Sequence, residues 1–209
     1  MPTRHHVSPS PACGGGPGWG RALRQCLAIL ALMCCATFAA RADDAEHLDP
    51  SLRASIAAHL VRPEGNGFVR HRWQHEPEIV ALYFGADWCA PCHAFVPTLR
   101  EVRNTLHDAG ADTEVVYVSL DTTTADMHRT MRQQQMPWPA IEHRRLRTLP
   151  AIRALGGMAP PNLVLIDRDG RVLANGWDGR RYRGLPAVLD AWLRHSNAEA
   201  AAAGAARGR

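Results

Sequence analysis

Two cysteines separated by two residues, Cys89 and Cys92, are the side chains of this 209-residue chain whose type and spacing most directly offer chemistry. A thiolate attacks disulfide sulfurs, and two thiols so spaced close a small disulfide ring with little backbone movement. Ile79 to Phe84 (IVALYF) is an apolar, mostly β-prone run long enough for one buried strand, and Gly85 and Asp87 punctuate it. From Pro91 onward the pattern turns helical, with Phe95, Leu99, Val102 and Leu106 recurring at three or four residues. The pair therefore stands where a strand hands over to a helix, with Pro91 near the first turn, where a missing N–H costs least. Unpaired N–H groups and the partial positive charge of that turn favour a thiolate at Cys89. Cys89, at the corner beside Trp88 and with access to solvent, is the expected nucleophile, and Cys92, one turn in, resolves the mixed disulfide.

Other uses of the pair are chemically open. A Cys-x-x-Cys can be half of a zinc site, but the remaining cysteines, Cys13, Cys26, Cys34 and Cys35, all lie near the N-terminus. An inert crosslink is a second alternative, although so short a loop restrains the unfolded chain little. A third is a copper-binding module using Cys89, Cys92 and His93, since copper(I) takes thiolates readily; no Met-rich or His-rich cluster accompanies them. His93 is either a cation that steadies the thiolate or a solvated residue of the first turn. Asp87 reads as an exposed loop carboxylate.

The elements that must position the pair follow from periodicity. Asp49 to Leu60 has helical spacing through Leu52, Ile56 and Leu60, with Asp49 as N-cap and Pro50 at the first position. Leu60–Arg62 and Phe68–Arg70 flank Pro63-Glu64-Gly65-Asn66-Gly67 and predict a small hairpin. Pro97 falls inside the helix after the cysteines and predicts a kink there. Glu114 to Leu120 is a second buried strand, and Thr122 to Gln135 a polar helix with Met127 and Met131 on one side. Met136-Pro137-Trp138-Pro139 cannot be helix interior and predicts a covering loop. Leu146 to Leu155 is a short helix stopped by Gly156-Gly157, and Leu163 to Ile166 a third buried strand. Asp167 to Gly170 turns into a returning strand at Arg171 to Ala174, and Leu185 to Leu193 is the last amphipathic helix. Ser196 to Arg209 is an Ala/Gly tail, expected to be disordered.

Trp88-Cys89-Ala90-Pro91-Cys92 after a buried strand resembles the thioredoxin superfamily, and YFGADWCAPCHAFVPTLREV resembles more narrowly its tryparedoxin/nucleoredoxin branch. The resemblance continues through Val115 to Asp121, Met136-Pro137-Trp138 and Pro161 to Gly170, and covers roughly residues 60 to 193. It implies an α/β class, a thioredoxin-like fold with a central mixed sheet flanked by helices, and a thiol–disulfide oxidoreductase needing no cofactor. It also implies that Pro161 is a cis-proline facing the disulfide, and that Trp88, Pro161 and Trp138 touch substrate. Trp138 reads equally as a lid beside the cysteines or as a core plug. Two departures stand out. Pro160 occupies a place where the family usually has a β-branched residue, which leaves specificity open. Tyr83 stands where thioredoxin has a buried Asp that assists the second cysteine, although the tryparedoxin-like wording also has Tyr there. The Ala90-Pro91 insert is close to reducing members, so reduction of protein disulfides is expected, with a membrane or soluble redox partner supplying electrons. A non-catalytic binding domain on the same fold is the remaining alternative.

Residues 1–42 hold Arg4, Arg21, Arg24 and Arg41, no acidic residue, an apolar stretch from Leu27 to Ala40, and Ala40-Arg41-Ala42 before Asp43-Asp44. Basic flank, short apolar core and A-x-A site predict a signal peptide and a secreted or periplasmic protein. Residues 43–195 form the predicted domain. Cleavage after Ala42 would leave Cys89 and Cys92 as the only cysteines. Those four arginines account for the whole +4 net charge, so the remainder is balanced, carries no lysine, and offers no electrostatic case for nucleic acid or a membrane surface. A monomer is expected.

Overall fold

The computed structural model describes residues 51–207. The predicted signal peptide, its four cysteines and the Asp49-Pro50 helix start lie outside those residues. Helix α1 (Ser51–Ala58) leads into strands β1 (Leu60–Glu64) and β2 (Gly67–Arg70), which form the hairpin expected from the Gly65-Asn66 turn. Leu60, which the sequence pattern placed both at the helix end and at the start of the hairpin, opens β1 and pairs with Ile141. Strand β3 (Ile79–Gly85) follows, then α2 (Ala90–Asp108), β4 (Thr113–Ser119), α3 (Thr124–Gln133) and the short β5 (Ala140–Ile141).

A 3₁₀ turn at Leu146–Thr148 precedes α4 (Pro150–Leu155). The helix predicted from Leu146 is thus broken in two, because Pro150 lacks the N–H that would continue the first turn and opens the second. Strands β6 (Asn162–Ile166) and β7 (Val172–Asn175), a small hairpin of β8 (Trp177–Asp178) and β9 (Arg181–Tyr182), and α5 (Leu185–Arg207) complete the described chain. The expectation of a disordered tail is corrected here: the alanine-rich residues after Leu193 continue α5, as alanine's helix propensity favours. Among the described residues no helix is long and apolar enough to cross a membrane.

The main sheet has seven strands in the order β2-β1-β5-β4-β3-β6-β7. β3, β4 and β5 run parallel, while β6, β7, β1 and β2 join antiparallel, giving the mixed sheet of a thioredoxin-like fold. β3 lies between β4 and β6 and is buried along its whole length. Its side chains alternate between two apolar layers, as strand geometry requires. Ile79, Ala81 and Tyr83 pack with Val96, Leu99 and Leu106 of α2 and with Val188 and Trp192 of α5. Val80, Leu82 and Phe84 pack with Leu52 and Ile56 of α1 and Ile152 and Leu155 of α4. Each such large apolar side chain contributes about 1.5–3 kcal/mol on burial. Two packed faces fix the position of the β3 C-terminus, where the cysteines follow.

Candidate active site

Gly85 ends β3 close against its own tyrosine neighbours, where a Cβ would lie 3.1 Å from the Tyr83 ring and 3.2 Å from Tyr117. The next residues are held from β4. Leu120 N donates to Gly85 O at 2.8 Å, and Asp87 N donates to Asp121 Oδ1 at 2.7 Å. Asp121 is buried and its second oxygen accepts from Ser119 Oγ at 2.7 Å, so its charge is spent on fixing the turn. Asp87 accepts from Arg129 Nη2 at 2.8 Å, and Arg129 also reaches Asp126 at 2.6 Å. The Arg129 hydrogen bond is the main reason the Asp87 carboxyl titrates below its ordinary range. Asp87 is therefore a tethered loop carboxylate, and Trp88 beside it is 65% exposed.

Cys89 is the N-cap of α2, with extended backbone at φ −96° and ψ 92°. Its sulfur accepts from Cys92 N at 3.2 Å, the bond an N-cap side chain makes to the third residue of a helix. Pro91 in the first turn has no N–H to offer, so the Cys92 amide is the donor aimed at the cap sulfur. That donor, together with the helix dipole, stabilises a thiolate at Cys89 once the disulfide is open. In the structure Cys89 and Cys92 are bonded, with S–S 2.09 Å and Cα–Cα 5.2 Å. The expected solvent access of Cys89 needs correction: the residue is 4% exposed against 2% for Cys92, and it packs in the same apolar layer as Ala86, to whose carbonyl its N–H donates at 3.2 Å. What separates the two thiols in this oxidised form is their place on α2 rather than their exposure.

Beneath the disulfide, Tyr83 takes the place of the carboxylate that thioredoxin carries. Its hydroxyl donates to Cys92 O at 3.0 Å, and burial drives its pKa above the usual phenol range, so it stays a neutral donor. His93 faces Gln134 through Nδ1 at 3.2 Å, while its Nε2 is buried without a partner among the described residues. No group of three or more His, Cys, Asp or Glu among the described residues is placed to hold a metal, and the copper reading gains no geometry from His93.

Pro161 stands just before β6, next to β3 on the side opposite β4, and the Pro160–Pro161 bond is cis. Pro161 shares an apolar cavity of about 480 Å³ with Pro91, Phe95, Tyr182 and Leu189. Trp138 does not join this surface. It is 1% exposed and sits in the apolar layer with Tyr83, Met131 and Cys92, so the core-plug alternative describes its place and the substrate-contact assignment does not. The physical reason is the loop around it: Pro139 O accepts from Tyr117 N, which ties the segment to β4 and turns the indole inward.

The β8–β9 hairpin was not foreseen. Trp177 Nε1 donates to Ala159 O at 3.1 Å and Tyr182 OH donates to Pro161 O at 3.2 Å, with the two rings 4.9 Å apart. The hairpin thereby clamps the proline loop from outside. Asp178-Gly179, a hairpin turn signal between Trp177 and Tyr182, was the readable trace of it.

Residues 77–172 match the family profile described as Thioredoxin-like. Nucleoredoxin of Homo sapiens is 31% identical over 140 residues, which is 63% of this chain and 31% of that protein. A rice protein (Oryza sativa subsp. japonica) named Probable nucleoredoxin 2 is 38% identical over 84 residues, 40% of this chain and 20% of the relative. The chain thus spans a third or less of these curated relatives. Among solved structures, tryparedoxin from Trypanosoma brucei is 27% identical with a TM-score of 0.47, covering 59% of this chain and 85% of that one.

Proposed function

Because residues 77–172 belong to the thioredoxin-like family, in its tryparedoxin/nucleoredoxin-like branch, we propose that the chain is a thiol–disulfide oxidoreductase that reduces protein disulfides through Cys89 and Cys92. The observation that carries this reading is a bonded Cys89–Cys92 pair with its first sulfur capping α2 at the end of a buried parallel strand. In the reduced protein the Cys89 thiolate attacks one sulfur of the client disulfide. The client S–S bond breaks, the departing client thiolate takes a proton, and a Cys89–client mixed disulfide forms. Cys92 then loses its proton and attacks the Cys89 sulfur, releasing the second client thiol and closing the ring seen in the structure. Two electrons pass from the dithiol to the client, and a membrane or soluble thiol partner must restore them. Proximity makes the second step intramolecular.

The test is insulin disulfide reduction with dithiothreitol as electron source. The full chain accelerates it, and Cys89→Ser and Cys92→Ser abolish the acceleration; an unaltered rate in either variant contradicts the reading. Export belongs to the same proposal and rests on the Ala40-Arg41-Ala42 site. An N-terminus at Asp43 on protein recovered outside the cytoplasm supports it, and full-length chain confined to the cytosol overturns it.

A further inference from the structure

The apolar cavity at Pro161 lies on the β6 side of the cysteine turn; the β4 side is different in chemistry. There a cleft of about 590 Å³ opens at the C-terminal end of β4, within the size range of ligand sites. Its lining includes Arg144, Arg147, Arg153 and His143, with hydroxyls of Thr122 and Thr123. It is tied to the cysteine turn itself: Leu120 and Asp121 in its lining hold Gly85 and Asp87 through the bonds described above, and Asp87 stands two residues before Cys89. Two residues of extended chain span at most about 7 Å.

The charges in this cleft are not spent. Arg129 nearby is neutralised by Asp87 and Asp126, and Arg145 lies 3.7 Å from Glu142. Arg144, Arg147 and Arg153 have no carboxylate within salt-bridge distance among the described residues, and all three are exposed. The one carboxylate lining the cleft, Asp121, is buried and already accepts from Ser119 and Asp87. His143 is likewise occupied, its Nε2 meeting Asp121 O at 2.9 Å. Guanidinium forks match carboxylates in pairs of parallel hydrogen bonds, and like charges held together beside a reacting group select for the opposite charge on what docks there.

We propose that this arginine cleft recognises carboxylate side chains flanking the disulfide of the client polypeptide, so that the protein selects acidic clients. The proposal rests on the oxidoreductase reading for its client but is tested apart from it. Two peptides of one sequence are compared, each with two glutamates or two glutamines beside its cysteine positions. In the first arm the cysteines are replaced by serine and binding to the oxidised full chain is measured by calorimetry at low and high salt. The glutamate peptide binds roughly tenfold tighter at low salt, the size expected for a few partly exposed ion pairs, and the difference closes at high salt. In the triple variant Arg144→Ala, Arg147→Ala, Arg153→Ala the preference is lost. Equal binding of the two peptides, or a preference that survives the triple variant, overturns the proposal. In the second arm the cysteine forms are substrates: the triple variant raises KM for the glutamate peptide only and reduces the glutamine peptide at the original rate. Failure of both peptides to be reduced would strike the oxidoreductase reading while leaving the binding arm to decide the cleft.

Discussion

Cys89 and Cys92 differ little except in where they stand on α2, and that difference carries the chemistry. A cap sulfur receives the Cys92 amide, whereas Cys92 itself lies over Tyr83. Tyr83→Phe removes a buried hydroxyl bonded to Cys92 O and should lower stability by about 1 kcal/mol. Chemical denaturation measures it, and a loss of several kcal/mol would mean that Tyr83 does more than hold that carbonyl. Asp87 gives the acid side of the pH profile. Its carboxyl titrates below its unfolded value because Arg129 bonds it, so the stability it contributes is present above about pH 4 and is lost as pH falls through the lower folded value. Thermal midpoints of the parent and Asp87→Asn should therefore differ at neutral pH and converge in acid, with the gap shrinking in high salt. A gap that widens on acidification contradicts the assignment.

Gly157 shows what the elements around the site demand. Its φ is +70°, and an added Cβ would lie 2.2 Å from the Trp177 ring that clamps the proline loop. Gly157→Ala should displace the β8–β9 hairpin and slow disulfide reduction, with Trp177 emission reporting the displacement; parent-like activity and emission would show that the clamp is dispensable. Trp138→Ala should cost about 3–5 kcal/mol as a core truncation, with any loss of activity following the loss of fold. Stability unchanged with activity lost would restore the lid. The β3 strand, the α2 helix and the cysteine corner were legible because each is written in local period and punctuation. Trp138 was not, since its two readings share one local sequence and only its burial with Tyr83 and Cys92, residues distant in the chain, decides between them. Nor was the Asp87–Arg129 pair, whose partners stand 42 residues apart. The alanines after Leu193 misled differently: composition suggested a tail, while helix propensity, a weaker local signal, agrees with the α5 that forms.

At the scale of the whole molecule, the order β4-β3-β6 sets a redox corner between two unlike surfaces, an arginine cleft on one side and an apolar cavity at Pro161 on the other. The other described elements hold that arrangement, with α2 and α5 covering one face of the sheet and α1 and α4 the other. Everything proposed about clients depends on Cys89 being the sulfur that meets them. Trapping with Cys92→Ser addresses this most directly: the reduced variant is mixed with a disulfide-bonded peptide and the adduct is mapped by mass spectrometry. A stable mixed disulfide on Cys89 is expected, and none when the partner variant Cys89→Ser is used. Capture of the peptide by Cys92 in Cys89→Ser, or no adduct on Cys89, would contradict that role of Cys89.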